Sequence, residues 1–271
     1  GTAPKWTLDL AQYGATATPL GAGEPTRFCF GHGLSYTRFE YGKLKLSTAR
    51  LKAETGDSEG AVAAYAALVE RNPDHLGYHA ALREAKGLAG DTPGSEAKAA
   101  LLALYTDLSA RHPKAVAPRR LPLDFLDGED FESALELYMR PFLTKGVPSL
   151  YSDLSKLQED PARAAIMTKV IAATVDSLRA GKGFAGPARE GEGAPGPATL
   201  MWALLLQAQH LGLGLSPPRF DDALAAIDEA IAHTPTVVDL YVAKGDILAA
   251  AGDDEGAAEL CDEARSMDLA D

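Results

Sequence analysis

Apolar and polar residues follow a helical period along most of this chain, from about residue 49 to its end. In residues 55–69, apolar side chains recur three and four positions apart and form one helix face: Ala61, Tyr65, Leu68 and Val69. The same spacing predicts further helices over residues 92–111, 131–139, 150–158, 162–178 and 199–213. Such a face is the side that a helix buries against its neighbours. The pattern therefore predicts an all-α architecture for residues 49–271.

Residues 1–48 follow a different pattern, with short apolar segments separated by glycine and proline. Residues 34–41 and 43–46 are short and rich in aromatic or β-branched side chains, which is typical of strands. We predict a β-rich segment over residues 1–48, joined to a helical domain over residues 49–271. Within that domain, residues 181–198 contain nine Gly or Pro among 18 positions and predict a flexible surface loop.

An internal repeat specifies the helical domain further. The sequence GDSEGA at residues 56–61 recurs as GDDEGA at residues 252–257, and Ala223 precedes Ala257 by 34 positions. The glycine is suited to end one helix in the left-handed conformation, and the aspartate to cap the next. A period of 34 residues with small residues at fixed positions is the tetratricopeptide pattern. We predict a tetratricopeptide-type α-solenoid, with a nonspecific helical bundle as the alternative.

Composition and charge exclude several classes of protein. The chain carries a net charge of −12, with +3 over residues 1–50 and −15 over residues 51–271. Nucleic-acid binding requires clustered cations, so we expect no direct nucleic-acid partner. Apolar runs stay shorter than the ~18 residues that a membrane span needs, so we expect no membrane partner. The chain begins at Gly1 instead of Met, and we interpret it as a section of a longer protein.

Residues 118–129, with the sequence PRRLPLDFLDGE, resemble a distinctive stretch of the auxiliary, tetratricopeptide-rich subunit of the N-terminal acetyltransferase A complex. The similarity covers roughly residues 51–271 through shorter matches: 70–73, Tyr78, 145–148, 199–202, 208–210, 231–236 and 262–268. This resemblance implies a non-catalytic, cytoplasmic scaffold that wraps the catalytic acetyltransferase subunit and supports co-translational N-terminal acetylation. It also implies a contact with the ribosome through parts of the full-length subunit outside this chain.

Residues 28–41, with the sequence FCFGHGLSYTRFEY, resemble a junction segment of family 3 glycoside hydrolases. The catalytic aspartate and the acid/base glutamate of those hydrolases lie in parts of their fold that have no counterpart here, and glycoside hydrolysis needs both carboxylates. We interpret the chain as an apparent chimera. Two other hypotheses for its function stay open: a hydrolase fragment without catalytic residues, and a generic peptide-binding repeat protein.

Candidate catalytic and metal-binding residues have simpler explanations. His75 and His79 have a spacing that can bind zinc, but a third ligand is not evident, so we expect histidines at the surface or at a helix start. The acidic groups at residues 127–130 and 221–222 precede helices and are expected to cap them. Cys261 occupies a packing position of the repeat and is expected to be buried. We therefore predict no catalytic, metal or cofactor site.

Three cationic residues are candidates for binding a protein partner: Arg119, Arg120 and Lys244. Arg119 and Arg120 lie between two prolines, where neither enters a long helix easily. We favour local capping of a helix end for their side chains, with outward contact to an acidic partner or a phosphate as the functional alternative. The acetyltransferase family is associated with an inositol polyphosphate between its subunits. Because the surroundings of Lys244 are acidic, we expect no polyphosphate there and a basic partner for the acidic surface.

Overall fold

A computed structural model describes residues 56–88, 94–184 and 195–268, which all belong to the unit Thr48–Asp271 of the chain. These residues form α-helices and short helical turns without a β-strand. The α-helices are α1 (Ser58–Arg71), α2 (Leu76–Ala85), α3 (Ser95–Arg111), α4 (Ala117–Arg120), α5 (Gly128–Lys145), α6 (Leu150–Leu154), α7 (Pro161–Arg179), α8 (Ala198–Gln209), α9 (Phe220–His233), α10 (Val238–Ala251) and α11 (Asp254–Asp268). Two 3-10 turns follow α4 and α6 (Leu121–Asp124 and Ser155–Glu159), and a π-helical turn follows α8 (His210–Gly214). The all-α, tetratricopeptide-type prediction is confirmed for the described residues.

The two copies of the repeated sequence have the same local geometry. Gly56 and Gly252 adopt φ values of +79° and +89°, in the left-handed region that glycine enters without steric cost. The aspartate after each glycine accepts a hydrogen bond from the backbone N–H three residues on, at 2.9 Å for Asp57 and 3.0 Å for Asp253. Capping satisfies a donor that a helix start leaves unpaired, so the predicted role of the aspartate is confirmed in both copies. Gly252 also ends α10, as predicted, whereas the residues before Gly56 lie outside the described part of the chain.

The most deeply buried element is α8. Its buried side chains point to all sides: Thr199, Met201, Ala203, Leu204, Leu205, Leu206 and Ala208. It contacts α5, α6, α7, α9 and α10, so the hairpins on either side of it share one hydrophobic core. A helix that is apolar all round is stable only when it is covered in this way.

Tertiary packing extends one predicted helix and breaks two others. The prediction for residues 131–139 ends before Pro141, yet α5 continues through that proline to Lys145 because Leu143 is buried in the core. The predicted helix at residues 150–158 is wrong in its second half, which forms a 3-10 turn after Leu154. The predicted helix at residues 199–213 changes to a π-helical turn after α8.

Two predicted features fall largely outside the described residues. The β-rich segment at residues 1–48, with its resemblance to family 3 glycoside hydrolases, lies wholly outside them and stays a prediction. Of the predicted loop at residues 181–198, positions 185–194 lie outside them too. Phe184, at the start of this loop, packs against α5, with the Arg140 guanidinium 5.6 Å from its ring centroid.

Gly146 permits the close approach of α5 to α8. It ends α5 with a φ of +67°, and a Cβ at this position would lie 2.7 Å from Cε2 of the Trp202 indole. Gly181 has nearly the same φ, +68°, but a Cβ there would meet nothing within 4 Å. Substitution of each glycine by alanine therefore distinguishes the free-energy cost of a left-handed backbone, present at both positions, from the cost of a steric clash, present only at Gly146.

We predict that Gly181→Ala lowers the free energy of unfolding by about 1 kcal/mol, the cost of a left-handed alanine. Gly146→Ala should cost about 1–3 kcal/mol more, because the indole must also move. Urea unfolding followed by circular dichroism measures both variants, and tryptophan fluorescence should change only in the Gly146 variant. Equal losses in the two variants would contradict the close packing of Trp202 against Gly146.

Candidate functional site

The PRRLPL sequence forms the most irregular part of the described fold. Its helix α4 has four residues and continues into a 3-10 turn, so many of its backbone groups need partners outside the segment. The start of α4 is held by Asp74, whose Oδ1 accepts hydrogen bonds from the N–H groups of Val116 and Ala117 at 2.7 and 2.9 Å. Asp74 belongs to the turn between α1 and α2, so this contact joins the first hairpin to the segment.

Two arginines, Arg163 from α7 and Arg120 from the segment itself, make the polar contacts at the other end of the segment. The Arg163 guanidinium, on α7, donates to the backbone oxygens of Asp124 and Leu126 at 3.1 and 3.2 Å. Arg120 pairs with the Asp124 carboxylate at 2.7 Å and donates to the backbone oxygen of Asp153 at 3.1 Å. The segment at residues 115–127 is thus a junction that polar contacts join to the α1–α2 turn, to α6 and to α7.

A groove of about 300 Å³ opens between α3 and α5, beside this junction. Its walls are mostly apolar and come from α3, α5 and the two prolines of the segment: Leu102, Tyr105, Ala110, Pro118, Pro122, Ala134, Leu137 and Tyr138. Polar groups are contributed by Thr106, Ser109 and Arg119. Burial raises the pKa of Tyr105 to about 12, so its phenol is uncharged at neutral pH.

The structure does not bring the three predicted partner-binding cations together. Arg119 lines the groove and donates from Nε to the backbone oxygen of Ala115 at 3.0 Å. Arg120 pairs with Asp124, four residues on, and donates to the backbone oxygen of Asp153, so its side chain has contacts within the fold, as the favoured interpretation expects. Lys244 lies on α10 and pairs with Asp228 of α9 at 2.6 Å. Binding of a partner by these residues stays a prediction.

The other candidate residues have local structural roles. His75 starts α2, as predicted, with Nδ1 accepting from the Tyr78 N–H at 3.3 Å, whereas His79 is buried and its Nε2 contacts the backbone oxygen of Pro73 at 2.7 Å. Cys261 is exposed, so its predicted burial is wrong. It lies on α11, the last helix in the described part of the chain, and the described residues contain no further repeat that would cover it.

The acidic residues that were predicted to cap helices lie at helix starts, as expected: Glu129 and Asp130 in the first turn of α5, and Asp221 and Asp222 in the first turn of α9. Asp127 lies at the N-cap position of α5, but its side chain makes no capping hydrogen bond and pairs instead with Lys98 and Arg163. The hydrogen bond from Lys98 lowers the pKa of this carboxyl group. Asp222, in the first turn of α9, accepts a hydrogen bond from Arg219 at 2.8 Å.

Sequence reasoning missed the residues that build the junction. Asp74 and Arg163 have no motif of their own, and each acts on backbone groups far along the chain. A partial signal was present for Asp74, because Asn72-Pro73 marks a helix end and an aspartate in such a turn often accepts backbone hydrogen bonds. The target of that hydrogen bond, 42 residues further on, carries no sequence signal.

A second cavity, of about 280 Å³, lies among α7, α8 and α9, and a buried histidine lines it. His210 Nε2 lies 2.7 Å from the Thr168 hydroxyl, which itself donates to the Ala164 backbone oxygen, so the ring donates to Thr168. The Nδ1 atom of His210 lies 2.7 Å from the side-chain amide of Gln158. When Gln158 turns its NH2 group toward the ring, Nδ1 of a neutral histidine accepts a hydrogen bond from it. Burial lowers the pKa of His210 to about 4.

Fold and site together define a helical-repeat scaffold of the tetratricopeptide class, whose described surface offers grooves and charged patches to other proteins. The family model for "N-terminal acetyltransferase A, auxiliary subunit" matches residues 37–271. The chain therefore belongs to the family of auxiliary subunits of N-terminal acetyltransferase A. The match begins within the stretch at residues 28–41 that resembles family 3 glycoside hydrolases.

Similar proteins agree with this family. The N-terminal acetyltransferase A complex auxiliary subunit NAA15 of Arabidopsis thaliana is 42% identical over 223 residues, which are 82% of this chain and 24% of that protein. Human N-alpha-acetyltransferase 16, NatA auxiliary subunit, is 33% identical over an alignment that covers 75% of this chain and 22% of the human protein. The chain thus spans about a quarter of the length of these curated relatives.

A solved structure shares the fold as well. The structure of Naa15/Naa10 bound to HypK-THB superposes with a TM-score of 0.69 and 28% identity, and the match covers 82% of this chain and 31% of that one. This similarity extends over most of the described helices and supports the assignment of the fold.

We predict that acidification destabilises the fold partly through His210. Because its pKa is about 4 in the folded chain and 6.5 in the unfolded chain, the unfolded chain takes up a proton first as the pH falls. Between pH 7 and pH 5 this difference should remove about 2 kcal/mol from the free energy of unfolding. His210→Gln should therefore show a shallower decrease than the unsubstituted chain.

Urea titrations at a series of pH values measure these slopes, and His233→Gln is the control for loss of an imidazole on the surface. Carboxylate titration contributes equally to all three proteins, so only the difference between slopes is informative. A parallel decrease for the unsubstituted chain and His210→Gln would show that His210 is not buried in the neutral form.

Proposed function

We propose that residues 49–271 are a non-catalytic section of an acetyltransferase auxiliary subunit and bind the catalytic subunit. The single observation that carries this proposal is membership of the auxiliary-subunit family over residues 37–271. The superposed structure contains Naa15 together with Naa10, and it shares the helical fold of this chain. A scaffold binds its partners through surfaces that its helices leave uncovered, and α10 has such a surface.

Helix α10 presents an acidic stripe with an apolar residue at its centre. Asp239, Val242 and Asp246 are exposed at intervals of three and four residues, which places them on one side of the helix. Val242 is 46% exposed, whereas its helix neighbours Leu240 and Tyr241 are buried. We call these three residues the α10 stripe.

The charge of the α10 stripe indicates the chemistry of its partner. Lys244, a nearby cation, is held by Asp228 on α9. Two further exposed acids follow α10: Asp253 in the turn and Asp254 at the start of α11. Residues 51–271 carry a net charge of −15, so the wider surface reinforces the negative potential. A basic protein surface with an apolar residue would complement the stripe, and opposite charge would speed its association.

The remaining parts of the proposal concern the whole subunit. Arg119, Arg120 and Lys244 are proposed as secondary partner contacts, since each already has partners within the fold. Contact with the ribosome, through parts of the subunit outside this chain, and a cytoplasmic location follow from the family resemblance. None of the described helices is both long enough and apolar enough to span a bilayer.

We predict that the 271-residue chain retains the catalytic acetyltransferase subunit of its source organism when the two are co-expressed and purified at low salt. The double variant Asp239→Lys/Asp246→Lys should weaken this association by about tenfold or more, because it reverses the charge that faces a basic partner. Analytical ultracentrifugation or biolayer interferometry measures the dissociation constant.

The matched control is Glu59→Lys/Glu84→Lys, which changes the net charge equally on the exposed sides of α1 and α2. Its dissociation constant should stay within about twofold of that of the unsubstituted chain. If the chain fails to retain the catalytic subunit, the proposed function is wrong for this section. If the two double variants weaken binding equally, the α10 stripe is not the contact surface.

A further inference from the structure

The groove between α3 and α5 lies beside the shortest helical elements of the junction. The first helix of the α10–α11 hairpin has 14 residues, whereas the chain before α5 forms α4, with four residues, and a 3-10 turn of four residues. Pro118 and Pro122 suit this compact path, since each fixes its backbone and lacks an N–H group. Both prolines line the groove, which has a volume of about 300 Å³.

The size and lining of the groove suit amino-acid side chains. A volume of about 300 Å³ is at the lower end of the range for small-molecule sites, which leaves room for one or two side chains. Leu102, Leu137 and the two proline rings form an apolar surface, and the ring of Tyr105 is adjacent to it. The phenol of Tyr105 is uncharged at neutral pH, as any phenol is, so it adds no negative charge to the groove.

The positive charge of the described chain is concentrated beside the same groove. Residues 111–120 contain four Lys or Arg and no Asp or Glu, in a chain whose net charge is −12. Arg111 pairs with Glu70 and Asp107, and Arg120 pairs with Asp124, so these two cations are balanced within the fold. Arg119 contributes to the wall of the groove itself, and Lys114 is exposed in the turn between α3 and α4. An acidic ligand would be attracted to Arg119 and Lys114 and repelled by much of the acidic surface.

We propose that the groove binds an acidic linear peptide segment of a protein partner. An apolar side chain of the peptide enters the groove between α3 and α5, and a neighbouring carboxylate pairs with the Arg119 guanidinium. Arginine favours such a partner because its planar group can bind a carboxylate through two parallel hydrogen bonds. This site is separate from the α10 stripe and prefers a ligand of opposite charge, so the proposal does not rest on binding of the catalytic subunit.

The test uses the purified 271-residue chain without the catalytic subunit and two fluorescein-labelled peptides. In the acidic probe, one leucine and one phenylalanine are separated by glutamates, and in the matched probe every glutamate is replaced by lysine. Fluorescence anisotropy at low salt should show saturable binding of the acidic probe and at least about tenfold weaker binding of the lysine probe. Stronger binding of the lysine probe would overturn the proposal.

Two substitutions test the groove by different means. Arg119→Glu reverses its charge, and Ala134→Trp fills its apolar part without a change of charge. Each should weaken binding of the acidic probe by about tenfold or more. The matched controls, Lys182→Glu and Ala99→Trp, alter exposed residues outside the groove and should leave the dissociation constant within about twofold.

Circular dichroism of each variant separates loss of the groove from loss of the fold. If Ala134→Trp unfolds, Leu137→Ala enlarges the groove at the same wall and should also weaken binding of the acidic probe. The proposal is overturned if folded variants in the groove bind the acidic probe as tightly as the controls do. It is also overturned if inorganic phosphate displaces the probe as effectively as an unlabelled acidic peptide does, because the site would then recognise a small anion.

Discussion

The need to satisfy the backbone polar groups of residues 115–127 organises much of this structure. In a regular helix those groups pair with one another, but a four-residue helix followed by a 3-10 turn leaves many of them to be paired from elsewhere. Asp74 supplies an acceptor at one end, and Arg163 supplies donors at the other. Because these two residues come from the α1–α2 turn and from α7, the irregular segment holds distant hairpins together.

The hydrophobic core has a second centre at α8, and there too a departure from regular helix geometry is tied to polar groups. The α8 helix passes into the π-helical turn at residues 210–214, where His210 contacts Thr168 and Gln158 inside the core. Gly214 leaves the space that the Gln158 side chain occupies, since a Cβ there would collide with it. A neutral histidine satisfies both contacts without the cost of burying a charge.

Regular and irregular parts of the solenoid have different surfaces. The α10–α11 hairpin has full-length helices, and its exposed side is a simple stripe of acidic and apolar residues at helical spacing. The α4 region has a four-residue helix, and the groove beside it is mostly apolar with Arg119 in its wall. A repeat protein can in this way present two surfaces of opposite charge while it keeps one continuous core.

How much could be predicted from the sequence depended on the range of each interaction. The caps at Asp57 and Asp253 involve residues within a few positions of one another, so the repeated sequence at 56–61 and 252–257 was a sufficient signal. The continuation of α5 through Pro141 depends on burial of Leu143 in the core, which overrides the local preference of proline to end a helix.

The sequence by itself determined the all-α class, the repeat type and the family, because helical period, glycine–aspartate caps and the PRRLPL motif are written in consecutive residues. Only the tertiary structure decided which charges are held by partners within the fold and which face solvent. Arg120 and Lys244 are equally charged in the sequence, yet Asp153 and Asp228 hold them within the fold. Those partners come from other helices, and a contact across 33 residues, as between Arg120 and Asp153, leaves no local pattern.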